Sequence, residues 1–145
     1  MVDFFPYGSD ERQYCSPGFN LPVGSLMRSM YGTYPEYHTS LDDRTFISFE
    51  AIQQTIDVYE QVAKTLELNR IYVNLSPWGE PQLGKRGLFN IGDIGYTTRD
   101  ILWLLNLSDG SDTDLLDISR RSGVKLETLS LAAERCVEAG LLVPR

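Results

Sequence analysis

Apolar residues at Phe49, Ile52, Ile56, Tyr59, Val62 and Leu66 recur at three- and four-residue spacing, while Glu50, Gln53, Asp57, Glu60, Lys64 and Glu67 take the intervening positions. That period predicts an amphipathic helix, with Ser48 placed to cap it. Ile71 to Leu75 alternates as a strand. Ahead of the helix, the apolar run Val2 to Phe5 stops at Pro6 and predicts a strand that delivers Asp10 and Glu11 into a loop. A second strand is expected near Ser25 to Arg28. Residues 1–76 therefore read as the closing portion of an α/β domain. Pro77, Gly79, Pro81, Gly84, Gly87, Gly92 and Gly95 then mark a long connector over 77–96. From 97 to 145 the pattern predicts three helices. The first opens at Thr97 with Asp100 three residues on, and Gly110 ends it. The second runs from about Thr113 to Arg121 with Gly123 as its C-terminal cap. The third starts near Leu126, with Leu129, Ala132, Ala133, Cys136 and Val137 inward. Strand-like Leu141 to Val143 closes the series, which is the sequence shape of a winged helix-turn-helix.

Charge narrows the partners. The chain has 145 residues, a formal charge of -7 and a pI near 4.6, which opposes general affinity for nucleic acid or anionic membranes. Residues 97–145 hold six Lys or Arg against eight Asp or Glu, a net charge of -2. Their third helix presents Glu127, Thr128, Ser130, Glu134 and Glu138 rather than cations for phosphates or amides for base edges, so DNA binding is disfavoured. No apolar run approaches a membrane span, and the N-terminus lacks a signal-peptide pattern. A cytoplasmic location is expected, with Cys15 and Cys136 as free thiols.

The chemistry concentrates in the first third of the chain. The single histidine, His38, and the adjacent acids Asp10 and Glu11 stand in turn-rich segments, and imidazole and carboxylate are ligands that zinc accepts. A metal hydrolase is the first reading. The bland alternative makes His38 an ordinary structural histidine and the acids holders of a turn through backbone amides. Cys15 lies in the same loop, but a small hydrophobe explains it better than a catalytic thiol. Two ligand-bearing segments do not complete a site, since a catalytic zinc takes about three protein ligands.

The Gly8 to Gly18 block, the Asn20 to Arg28 block, Tyr34 to Asp43, and the connector residues Glu80-Pro81 and Leu83 to Leu88 together resemble the C-terminal part of bacterial aminopeptidase-like zinc peptidases, which carry a C-terminal winged helix. The resemblance implies a two-zinc exopeptidase site acting on a peptide substrate. It makes Asp10 a late carboxylate ligand, with Glu11 as the alternative, His38 the final histidine ligand, and Tyr37 a substrate-binding residue or a packing one. Counterparts of the family's earlier histidine, bridging aspartate and glutamate base are missing here, and there is no second histidine. The chain alone is therefore expected to be inactive, with no catalytic residue of its own. Its partner would be an N-terminal catalytic segment or a second copy. The rival reading is a non-catalytic interaction or regulatory module.

Overall fold

The computed structural model describes residues 5–89 and 94–145. The strand expected over Val2–Phe5 lies outside them but for Phe5. Two compact units divide the chain, one ending at Val58 and one running from Tyr59 to Arg145.

In the first unit, Ser9–Tyr14 form a short helix, α1, where a loop was expected. Asp10 and Glu11 stand in its first turn, where negative charge favours a helix start. The chain near Ser25 to Arg28 forms no strand; Pro22 and Gly24 weaken one there, and among the described residues of this unit no strand exists to pair with it. The long helix is present as α2, Phe49–Leu68, which starts in this unit and runs on past its end at Val58, and the Ser48 hydroxyl accepts from the Ala51 N–H at 3.2 Å. Arg28 ties the loop to this helix through the Ala51 carbonyl at 3.2 Å and Gln54 Oε1 at 2.8 Å. No described side chain from residue 5 to Arg70 is buried. The apolar stripe of α2 is exposed, from Phe49 at 86% to Leu66 at 72%.

The second unit holds β1 (Ile71–Asn74), α3 (Thr98–Leu107), β2 (Asp109–Asp114), α4 (Leu115–Ser122), α5 (Leu126–Glu138) and β3 (Leu142–Pro144). The strand at 71–74, expected to close the preceding segment, is instead the centre of an antiparallel sheet of order β2-β1-β3. β2 replaces the expected helix start at Thr113. Its sequence, Asp-Gly-Ser-Asp-Thr-Asp, has no apolar alternation, and the ladder to β1 defines it, with an irregularity between Ile71 and Val73. Gly110, at φ +76°, lets β2 approach β1, because a Cβ there would come within 3.0 Å of the Val73 side chain.

The core is continuous. Ile101 and Leu104 of α3, Leu115 and Ile118 of α4, and Leu129, Ala132, Ala133 and Cys136 of α5 are fully or almost fully buried with Leu141 and Leu142. Each large aliphatic side chain so placed contributes about 1.5–3 kcal/mol. The connector is no free loop, since Leu83, Leu88 and Tyr96 enter this core and Gly84–Arg86 make a 3-10 turn. Val137, expected inward, is 37% exposed. α3 starts with a reciprocal cap in which Asp100 accepts from the Thr97 N–H at 2.7 Å and donates its own N–H to the Thr97 hydroxyl at 3.3 Å. Gly123 takes the left-handed conformation after α4, as its position predicts. The architecture is mixed helix and sheet, with three helices on a small antiparallel sheet in the second unit.

Asp114 caps α4 by accepting from the Asp117 N–H at 2.8 Å, and its other oxygen accepts from the Asn69 amide at 2.7 Å. Desolvation raises its pKa, but the Asn69 amide, the Asp117 and Leu116 N–H groups and Arg120 outweigh it and leave the carboxyl below its usual range. A depressed carboxyl contributes stability above its unfolded pKa and loses it as pH falls through the folded value. Acid unfolding followed by circular dichroism should therefore show a shallower loss of stability below about pH 4 in Asp114→Asn than in the parent. Parallel acid curves would show that another carboxylate carries the dependence.

Candidate functional site

Glu11 accepts a short hydrogen bond from the Ser25 hydroxyl, which holds its carboxyl below the usual range and ties α1 to the following loop. Gly8 has no room for a Cβ, because one would meet that carboxylate. Asp10, the neighbouring acid, is exposed in the same turn. Cys15 is half-buried and its thiol donates to the Val23 carbonyl at 3.4 Å.

His38 is exposed and sits in the left-handed region at φ +58°, with its ring stacked on that of Tyr37 at 4.1 Å and 15°. Tyr37 in turn packs on Tyr31 at 6.0 Å and Tyr34 at 5.8 Å, and Tyr31 stacks on Tyr7 at 5.4 Å. This run of rings joins the approach to α1, two residues before Ser9, to the segment that carries His38. Tyr37 is legible in the sequence but the run is not, because rings irregularly spaced by one to twenty-four residues in a loop follow no helix or strand period. Among the described residues, no hydrogen bond or ion pair joins Asp10 to His38, and no group of three or more His, Cys, Asp or Glu is placed to hold a metal ion. Asp10 and His38 are donors of suitable chemistry, but the described residues alone do not make a complete zinc site.

In the second unit, α4 and α5 pack at the turn around Gly123, and the sheet flanks them. The outward positions of α5 include Glu127, Glu134 and Glu138, and Arg135 is held by Glu138 at 2.8 Å. Burial pushes the Cys136 thiol up to about 11, so it stays a protonated core group. Residues 70–144, just over half of the chain, match the model of a family described as winged helix-turn-helix. The chain belongs to that family. The winged helix-turn-helix domain therefore begins with β1, and residues 1–69 match the model of a domain of unknown function, DUF4910.

A Clostridium acetobutylicum protein, provisionally named as a polysaccharide biosynthesis protein with an aminopeptidase-like domain, is 44% identical over 146 residues. The match covers 98% of this chain and 33% of that protein. The crystal structure of a provisionally named peptidase from the same organism superposes with a TM-score of 0.74 at 44% identity, over 99% of this chain and 32% of that one. The chain thus spans about a third of the length of the relatives it matches. Among the described residues, no helix beside or within the winged helix-turn-helix domain is long and apolar enough to cross a membrane.

Proposed function

We propose that this chain is the C-terminal part of an aminopeptidase-like zinc hydrolase of the cytoplasm, and that its first unit completes a larger hydrolase domain. The observation that carries this reading is the absence of any buried side chain among described residues 5–70, beside an exposed apolar stripe on α2. Ordering a residue's backbone costs about 1–2 kcal/mol, and burial is what offsets it. A segment of that composition is a surface layer of something else. Relatives three times as long, named for peptidase or aminopeptidase-like character, support the same conclusion.

Asp10 and His38 are then this chain's contribution to a zinc centre whose other ligands come from the rest of the longer protein. Glu11, committed to Ser25, is the weaker alternative, and Tyr37 orients the His38 ring. Zinc in such a centre supplies Lewis-acid chemistry for hydrolysing a peptide substrate; by themselves these residues position neither a nucleophile nor a base. Alone, the chain should show no turnover of aminoacyl nitroanilides with added zinc. Calorimetric titration should find weak zinc binding that falls by roughly tenfold or more in His38→Ala and in Asp10→Asn. Unchanged zinc affinity in both variants would remove the ligand assignment and favour a non-catalytic interaction module. Turnover abolished by His38→Ala would show instead that the chain holds a whole active site. The acidic outward face of α5 supports a protein contact rather than duplex DNA as the role of the winged helix-turn-helix domain.

A further inference from the structure

The winged helix-turn-helix domain encloses a cavity of about 300 Å³ between the loop after β1 and the end of α3. Its polar lining comes from Asn74, Ser76, Glu80, Asn106, Ser108 and Asp109. The donors there are largely used. Asn74 donates to the Leu105 carbonyl and accepts from the Ser76 N–H, both at 2.7 Å, and the Asn106 amide donates to the Leu102 carbonyl at 2.7 Å. Acceptors are left over. Glu80 and Asn106 Oδ1 have no partner among the described residues, and Asp109, which accepts from the Ser111 N–H at 2.9 Å, keeps further lone pairs. Ser108 is only 1% exposed, yet its hydroxyl has no partner among the described residues. An orphaned buried hydroxyl is costly and calls for an explanation such as a bound group.

Among the described residues no Lys or Arg lines the cavity, and no ion pair engages Glu80 or Asp109. A neutral polyol could donate its hydroxyls to these acceptors but would bring no charge to answer the two carboxylates. An anion would be repelled. A guanidinium carries five N–H donors, no acceptor and a positive charge, which matches both the surplus and its sign. The remaining walls, Leu102, Leu105, Pro77 and Pro81, suit the methylene stem behind such a head group. Trp78 sits between the lining residues Pro77 and Gly79 and is 98% exposed.

We propose that this cavity binds an arginine side chain presented by a peptide segment of a partner protein. Calorimetry of the full chain with acetyl-Gly-Arg-Gly-amide tests it, with the uncharged citrulline peptide as the matched control. The arginine peptide should bind at least about tenfold more tightly than the citrulline one and weaken as salt rises. Glu80→Gln combined with Asp109→Asn, both at exposed positions, should lose about tenfold or more while circular dichroism stays unchanged. Equal binding of the two peptides, unchanged affinity in the double variant, or no binding of the arginine peptide at about 10 mM, the weak end of specific recognition, would each overturn the assignment. A neutral disaccharide that competes for the cavity would replace it with a polyol site.

Discussion

Replacing Leu129 by alanine should destabilise the winged helix-turn-helix domain by about 2–5 kcal/mol, the range for removing a fully buried leucine from a packed core. Leu129 is 0% exposed on α5, the helix that packs on both α3 and α4. A cavity there lies inside the buried cluster that holds Ile101 and Leu104 rather than at the surface, and neighbours can close it only in part. For a domain whose whole stability is about 5–15 kcal/mol, such a loss moves the urea midpoint far. Leu66→Ala is the matched control. Leu66 stands 72% exposed on α2, so the same chemical change should stay within about 0.5 kcal/mol. Urea unfolding of both variants, read by the fluorescence of Trp103 beside the core, checks the contrast. Similar costs at the two positions would mean that α2 is covered in solution.

Hydrogen exchange on the purified chain should divide it sharply. Amides in the middle of α5 and α3 are expected to open only with the whole domain, whereas those of residues 9–58 open locally. The difference should be on the order of a thousandfold or more, given a global stability of several kcal/mol against local opening near zero. The cause is burial, since α5 places six residues in the interior and α1 and α2 place none. Strong protection across residues 9–58 in a chain that sediments as a monomer would contradict the proposal that this unit is a layer of a larger domain. Protection that rises with concentration would identify a second copy as its cover.

The parts of the fold legible in the sequence are those where local and global preferences agree. α2 and α5 follow their apolar period, and Thr97, Asp100 and Gly123 sit where the chemistry of helix ends demands them. The rest failed for specific reasons. β2 is polar throughout and exists because β1 offers it a ladder, a relation between segments about 40 residues apart that no window of sequence contains. β1 pairs with β2 and β3 far along the chain, which is hidden for the same reason, since alternation identifies a strand but not its partner. The connector was read from its glycines and prolines, which mark turns correctly, while the single apolar residues Leu83, Leu88 and Tyr96 that anchor it have no period to reveal them. At the candidate site, residue type alone singled out Asp10, Glu11, Tyr37 and His38. What the sequence lacked was the arrangement around them, the Ser25 bond to Glu11 and the aromatic run beneath His38.

Asn69 lies just outside the matched winged helix-turn-helix segment, yet both ends of its amide are spent inside it. It donates to Asp114 at 2.7 Å and accepts from the Leu116 N–H at 2.9 Å. A domain cut out at residue 70 would lose a donor to one capping carboxylate and an acceptor for one helix-start amide, and α4 would fray from its first turn. The hydrogen-bonded module thus starts earlier than its sequence signature, and dissection, fusion or domain exchange should respect the border at Asn69.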